Sequence, residues 1–291
     1  KATKEKAKKG SAKPTPTTEN RVEMYWGESA EMKRIRKVVE HVATTDANIL
    51  ITGENGTGKE MMAREIHRLS ARCRKTMVSI DMGAIPETLF ESELFGHKKG
   101  AFTDAHTDRE GKFLTASGST LFMDEIGNLP LHLQVKMLSA LQNRAITPLG
   151  MNEAQPIDIR LISATNRDLH DAVAKGEFRQ DLLFRINTIQ IHIPPLRSRK
   201  EDIVPLAERF IEHYSKKYNK VGLLLQGEAA DKLIAHSWEG NIRELQNAIE
   251  KAVIMCDGDM IAPDHIELHA ATRPVTEAQT LEEMERQLIA N

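Results

Sequence analysis

A parallel α/β sheet sandwiched by helices, followed by a C-terminal all-helical domain, is the fold class this 291-residue sequence predicts. Three observations predict it. From about Val22 to Pro195, short apolar runs alternate with stretches of helical periodicity, the pattern of strands joined by crossover helices. After Pro194-Pro195 the strand-like runs stop. A glycine-rich turn, Gly53 to Gly58, stands between one strand-like run and one amphipathic stretch.

In chain order, Lys1–Asn20 is rich in Lys, Thr and Pro, holds almost no large apolar residue, and reads as a linker. Its lysines (Lys4, Lys6, Lys8, Lys9) read as a solvated tether rather than a phosphate contact. Candidate strands are Asn48–Thr52, Met77–Asp81, Thr120–Asp124 and Ile157–Ala164, with helices over Glu60–Ala71 and Leu131–Gln142. Beyond the Pro pair, Ile203–Tyr218, Gly227–His236 and Ile242–Met255 read as helices with no strand between them. Ala270–Thr276 resembles a second linker, and Leu281–Ile289 opens an acidic helix. The expected division is 1–20 linker, 21–197 α/β domain, 198–270 helical domain, and 271–291 linker with the start of a further domain.

Composition narrows the function classes. The charge is nearly balanced, 40 basic against 42 acidic residues, so gross charge gives no reason to expect broad nucleic-acid binding. Aromatics make up 4% of the chain, too few for a base-stacking platform. Cys73 and Cys256 have no metal-like spacing, which suits a reduced, cytoplasmic protein. No apolar run approaches the ~20 residues that span a bilayer, so no membrane association is expected.

The chemistry lies in Gly53-Glu54-Asn55-Gly56-Thr57-Gly58-Lys59-Glu60, placed after a strand and before a helix as a P-loop requires. Glycines let the backbone turn its N–H groups around phosphate oxygens, the helix N-terminus favours negative charge, and Lys59 reaches the β- and γ-phosphates. Glu60 departs from the general pattern, which has Ser or Thr there as a magnesium ligand. About 70 residues after Gly53, the strand Leu121-Phe122-Met123 ends in Asp124-Glu125. Such a pair places Asp124 near Mg²⁺ and Glu125 near an attacking water. ATP and Mg²⁺ are the expected cofactors.

At this point the sequence resembles the AAA+ ATPase domain of bacterial enhancer-binding proteins, the activators of sigma-54 RNA polymerase. The resemblance runs from about Met24 to Ile266 and is most specific over Glu91–Ala105, where Gly100-Ala101-Phe102-Thr103-Asp104-Ala105 matches the family's GAFTGA loop except at Asp104. The family also commonly has Glu after the P-loop lysine. By resemblance, Trp26-Gly27 lies near the adenine and Asn166, after Thr165, is the sensor of the γ-phosphate. Arg179 and Arg185 are arginine fingers for a neighbouring subunit, and Arg243 lies over the phosphates. Read alone, each arginine is an ordinary surface charge; the resemblance gives it a role. Three positions depart from the family: Asp104, Glu239 where Pro is usual, and Asp81 where Asn is frequent. An ionised Asp81 accepts hydrogen bonds but cannot donate one.

The resemblance implies an ATP-hydrolysing activator, acting as a ring and by family analogy a hexamer, that remodels the sigma-54 holoenzyme from closed to open promoter complex. It also implies a regulatory domain ahead of Lys1, a phosphorylatable receiver being the leading guess, and an enhancer-DNA-binding helix-turn-helix after Asn291. Two rivals remain at this stage: an AAA+ remodeller of another target, such as a helicase loader, and a nucleotide switch that does not hydrolyse ATP.

Overall fold

The computed structural model describes residues 24–220 and 222–268. The expected linkers at 1–20 and 270–276 and the acidic helix Leu281–Ile289 lie outside the described residues.

The α/β part runs α1 (Ala30–Val42), β1 (Ile49–Thr52), α2 (Lys59–Arg68), β2 (Val78–Asp81), α3 (Phe90–Phe95), β3 (Gly96–His97), β4 (Arg109–Glu110), α4 (Lys112–Thr115) and β5 (Thr120–Asp124). It continues through α5 (Leu131–Asn143), β6 (Ala145–Ile146), β7 (Gln155–Pro156), β8 (Arg160–Thr165), α6 (Leu169–Ala174), α7 (Gln180–Ile186) and β9 (Ile189–His192). Five strands form one parallel sheet in the order β2-β5-β8-β1-β9. β1, β5 and β8 are apolar on both faces, as a sheet covered on both sides requires. One face packs a core of Leu94, Phe113, Leu133 and Leu182; the other packs Met32, Val39, Met62 and Ile66 from α1 and α2.

The predicted strand at Ile157–Ala164 begins later, at Arg160. The backbone before it is committed elsewhere: Ile157 N–H donates to the Arg144 carbonyl, and the Asp158 carbonyl accepts from Gly118 N–H and the Arg72 guanidinium. β9, which the apolar-run reading did not single out, closes the sheet beside β1.

The helical part comprises α8 (Ile203–Lys217), β10 (Leu224–Leu225), α9 (Gly227–Ala235), α10 (Asn241–Met255) and β11 (Met260–Ile261). The three helices fall within a residue of their predicted spans. The expectation of no strand here is corrected: β10 and β11 pair in parallel, Leu224 with Met260 and Leu225 with Ile261. Two residues per strand leave no alternation to detect. Leu206, Leu233, Trp238, Leu245 and Ile249 make a separate apolar core, to which Leu196 contributes. Trp238 is fully buried and donates its indole N–H to the Leu233 carbonyl at 2.8 Å.

Both ends of α1 are held by charged groups buried from water. At its N-terminus Asp202 accepts from Glu28 N–H (2.5 Å), Ser29 N–H (2.9 Å) and the Ser29 hydroxyl (2.7 Å). At its C-terminus Arg160 donates to the Val42 and Ala43 carbonyls at 2.8 and 2.7 Å. An anion at the start and a cation at the end satisfy orphan backbone groups and complement the helix dipole. Because Asp202 lies just ahead of α8, this cap also ties the helical part to the α/β part.

Candidate nucleotide site

Strand order builds the site. Since β8 lies between β1 and β5, the turn after β1, Asn166 after β8 and the acids ending β5 emerge side by side at one edge of the sheet. This is the crevice at the carboxyl ends of parallel strands where ligands bind in open α/β sheets.

The turn from Gly53 to Gly58 is a phosphate cradle in shape. Gly58, at φ +101°, turns the chain into α2 in a conformation that other residues resist. At Gly56 space decides as well: a Cβ there would stand 2.3 Å from the Gly240 carbonyl oxygen. Lys59 is buried, and its Nζ donates to the Gly53 and Glu54 carbonyls at 3.0 and 3.3 Å, with Glu125 Oε1 3.8 Å away. A buried ammonium met by two backbone carbonyls and one carboxylate near 4 Å sits in a site suited to an added anion. Glu60 turns away along α2 and pairs with Arg64 at 2.6 Å.

Glu125 is in the left-handed region at φ +52°, a conformation costly for a long side chain. Burial pushes its carboxyl above the ordinary range, while the Lys59 charge and the nearby Asn166 backbone pull it down. Asp124 is likewise raised, chiefly by burial, with Glu125 N–H bonded to its Oδ1 at 3.0 Å. Asp81 stands opposite Asp124 in the β2–β5 register, and its Oδ1 accepts from Gly83 N–H at 2.8 Å. Among the described residues no group of three or more His, Cys, Asp or Glu could hold a metal. Magnesium binds through one or two carboxylates and takes its other ligands from phosphates and water; Asp124, at the end of β5, is a carboxylate that could hold it.

The helical part closes over the cradle. Asn241 is fully buried at φ +53°. Its Oδ1 accepts Leu196 N–H at 2.7 Å, and its Nδ2 donates to the Asn55 carbonyl (3.0 Å), Glu54 Oε2 (3.1 Å) and the Glu239 carbonyl (3.3 Å). Ile242 N–H donates to the Gly56 carbonyl at 3.0 Å. The buried Arg199 guanidinium reaches the Thr57 carbonyl at 3.2 Å. Glu54 also pairs with Arg197, which with Asn241 holds its carboxyl below the ordinary range. Arg243 packs beside the same turn, its Cβ 3.1 Å from where a Gly56 Cβ would lie.

The loop Gly100–Ala105 stands on an antiparallel stem pairing Gly96 with Glu110 and His97 with Arg109. Gly100 N–H bonds the Ala105 carbonyl at 2.8 Å and Ala105 N–H the Phe102 carbonyl at 3.0 Å, so the loop closes on itself. Asp108 braces its base, accepting from Lys98 Nζ at 2.6 Å and Lys99 N–H at 2.9 Å. Phe102 is 37% exposed and meets the buried His97 ring edge-on at 4.9 Å. Thr103 and Asp104 are exposed.

Comparisons with known proteins match both parts of the fold. A family described as the sigma-54 interaction domain matches residues 25–192, and one described as the AAA+ ATPase lid domain matches 197–283. The transcriptional regulatory protein ZraR of Klebsiella oxytoca is 44% identical over 284 residues, 94% of this chain and 64% of ZraR. The response regulator protein PilR of Pseudomonas aeruginosa is 41% identical over 274 residues, covering 90% of this chain and 62% of PilR. The crystal structure of NtrX from Brucella abortus in complex with ATP superposes with a TM-score of 0.78 at 30% identity, covering 90% of this chain and 61% of that one.

The chain belongs to the sigma-54-dependent transcriptional activators.

It spans about three fifths of the length of the curated relatives it matches. Within the chain, Gly53–Lys59, Asp124, Glu125 and Asn166 gather at the sheet edge, with Arg243 beside the Gly53–Gly58 turn. Arg179 and Arg185 do not join them. Arg179 pairs with Asp181, and Arg185 donates to the Leu141 carbonyl at 2.8 Å. The Arg185 carbonyl accepts from Asn48, which precedes β1 and so lies at the end of that strand opposite the P-loop. Trp26 and Gly27 have structural partners: the Trp26 ring carries the Arg36 guanidinium at 5.9 Å, and Gly27 lies against the Asp202 carboxylate. Sequence reading missed Asn241, Arg199 and Asp202. Arg199 and Asp202 sit in the polar run Arg197–Asp202 and Asn241 follows Gly240, so nothing local marks them, and their long-range partners lie 45 to 187 residues away.

Proposed function

We propose that this activator hydrolyses ATP in a ring of like subunits and uses the cycle to move the Gly100–Ala105 loop against sigma-54, remodelling a closed promoter complex. The observation that carries the ring is the split of the catalytic set. Lys59, Asp124, Glu125 and Asn166 share one edge of the sheet, while Arg185 is tied to its far end through Asn48 and Leu141. Four strand residues separate those ends by ~13 Å, so Arg185 serves a neighbour's site rather than its own.

Lys59 leaves its backbone carbonyls to hold the β- and γ-phosphates. Glu125 orients the attacking water and accepts its proton. Asp124 would hold magnesium, which when bound would neutralise charge on the phosphate oxygens. Arg243 covers the phosphates from the lid, Trp26-Gly27 borders the adenine, and Arg179 and Arg185 of one subunit complete the site of the next. Phe102 offers apolar area and Thr103 a hydroxyl to sigma-54. The ATP complex of NtrX supports the nucleotide, and the sigma-54 family match supports the target. A receiver domain, suggested by the response regulator PilR, and enhancer binding belong to the longer protein.

Complementation tests the ring. Arg185→Ala should bind ATP normally but turn over slowly, since arginine fingers contribute ~10³–10⁵-fold in GTPases. Added Lys59→Ala subunits, inert themselves but carrying both fingers, should restore turnover. Absence of rescue, with wild-type specific activity independent of protein concentration, contradicts it.

A further inference from the structure

We infer that Gln134 and the Arg167–Glu177 pair form a positioning relay that makes the placement of a subunit's outgoing Arg179 depend on the state of its own nucleotide site. The inference rests on the trans reading above and adds communication between adjacent sites.

Gln134 lies in the first turns of α5 and is fully buried. Every polar position of its amide is used. Nε2 donates to the Leu129 carbonyl at 2.7 Å and the Glu177 carbonyl at 3.1 Å, and Oε1 accepts the Arg179 N–H at 2.8 Å. One side of this amide is the turn that follows Glu125. That turn is tight: Asn128 N–H bonds the Glu125 carbonyl at 2.9 Å and Leu129 N–H the Ile126 carbonyl at 3.1 Å. The other side is the segment that starts α7 and aims Arg179.

Arg167 makes a second, parallel link. It follows Asn166, whose backbone lies near the Glu125 carboxyl. Its Nη1 donates to the Gly127 carbonyl at 2.8 Å in the same turn, and its Nη2 pairs with Glu177. Gly127 is packed closely, with the Thr165 hydroxyl 3.0 Å and Arg167 Cδ 3.1 Å from where its Cβ would be. Two sets of hydrogen bonds therefore connect the turn after Glu125 to the Glu177–Arg179 segment.

Energy alone does not explain the Arg167–Glu177 pair. Both side chains are well exposed, and such pairs contribute little to stability. Geometry does: a finger displaced by about 1 Å costs up to ~10²-fold in rate. Contact along a path is not coupling, so the test must read coupling itself.

The experiment dopes hydrolysis-blocked Glu125→Gln subunits into assemblies of otherwise wild-type protein and into assemblies carrying Glu177→Gln. ATP turnover is measured against the blocked fraction at fixed total protein. With the relay intact, a blocked subunit alters its neighbour's rate, so turnover departs from simple proportion to active subunits. With Glu177→Gln it returns toward proportion, while ATP affinity stays within about twofold and kcat falls by up to ~10²-fold. Gln134→Met should show the same straightening. If it fails to fold, Arg167→Ala, which removes the contacts to both Gly127 and Glu177, supplies the second arm and should straighten the curve likewise. Equal curvature in wild type and Glu177→Gln overturns the relay, as does strict proportion in wild type. Neither result touches the trans reading, which fails only if the Arg185→Ala complementation fails.

Discussion

Asn241 offers a quantitative test of how the lid is fixed to the P-loop, because its backbone and side-chain roles separate by substitution. Asn241→Gly keeps the left-handed backbone and removes the amide. Leu196 N–H then loses its buried acceptor and the Asn55 carbonyl loses a donor. An unpaired buried donor costs about 1–3 kcal/mol and a lost ordinary hydrogen bond about 1 kcal/mol, for a total of about 2–4 kcal/mol. Asn241→Ala adds the penalty of a Cβ at φ +53°, about 1–2 kcal/mol. Alanine should therefore be worse than glycine here, although at ordinary helical positions glycine is worse by about 1 kcal/mol. Thermal and urea denaturation followed by circular dichroism read the order directly. At about 2–4 °C per kcal/mol for a chain of this size, the glycine variant should melt lower by about 4–16 °C. Both variants should also bind ATP more weakly. Alanine equal to or better than glycine, or losses under about 1 kcal/mol for both, would refute the clamp.

Glu125 should leave two pH signatures. As a base it acts when ionised, and burial raises its pKa above the ordinary 4.5, so hydrolysis at saturating ATP should fail on the acid side at a pH above that value. Its raised folded-state pKa also means that the fold disfavours the ionised form. Glu125→Gln should then melt higher than wild type at neutral pH, and the advantage should vanish below pH 4.5; equal melting at pH 7 contradicts the burial argument. Gly56→Ala drives a Cβ to 2.3 Å from the Gly240 carbonyl oxygen at φ +78°. It should lift the lid from the P-loop and weaken ATP binding by at least tenfold, ~1.4 kcal/mol, as equilibrium titration would read.

Much of the chemistry was legible because it is local. The Gly53–Lys59 turn carries its own conformational demand, and Asp124-Glu125 stands at the end of an apolar run. The lid helices were legible from periodicity and end within a residue of expectation. What escaped is what depends on distant partners. β9 is Ile-Gln-Ile-His leading into Pro194-Pro195, and only β1 beside it makes it a strand. Two-residue β10 and β11 exist through their mutual pairing. Asp202 caps a helix that begins 172 residues earlier in the chain, a pairing no spacing rule reaches. The resemblance points to Arg243, whereas Asn241, two residues earlier, fastens the lid.

The central claim is that nucleotide state controls the Gly100–Ala105 loop's hold on sigma-54. A ligand drives a change only through contacts that differ between states. The direct measurement is co-elution of sigma-54 with the protein trapped by ATP-derived metal fluoride, compared with the ADP state. The account predicts capture in the trapped state alone. It further predicts loss of capture and of promoter opening in Phe102→Ala and Thr103→Ala, with ATPase activity close to normal, and retention of both in Asp104→Gly. Equal capture in the two nucleotide states, or full promoter opening by Phe102→Ala, would contradict it.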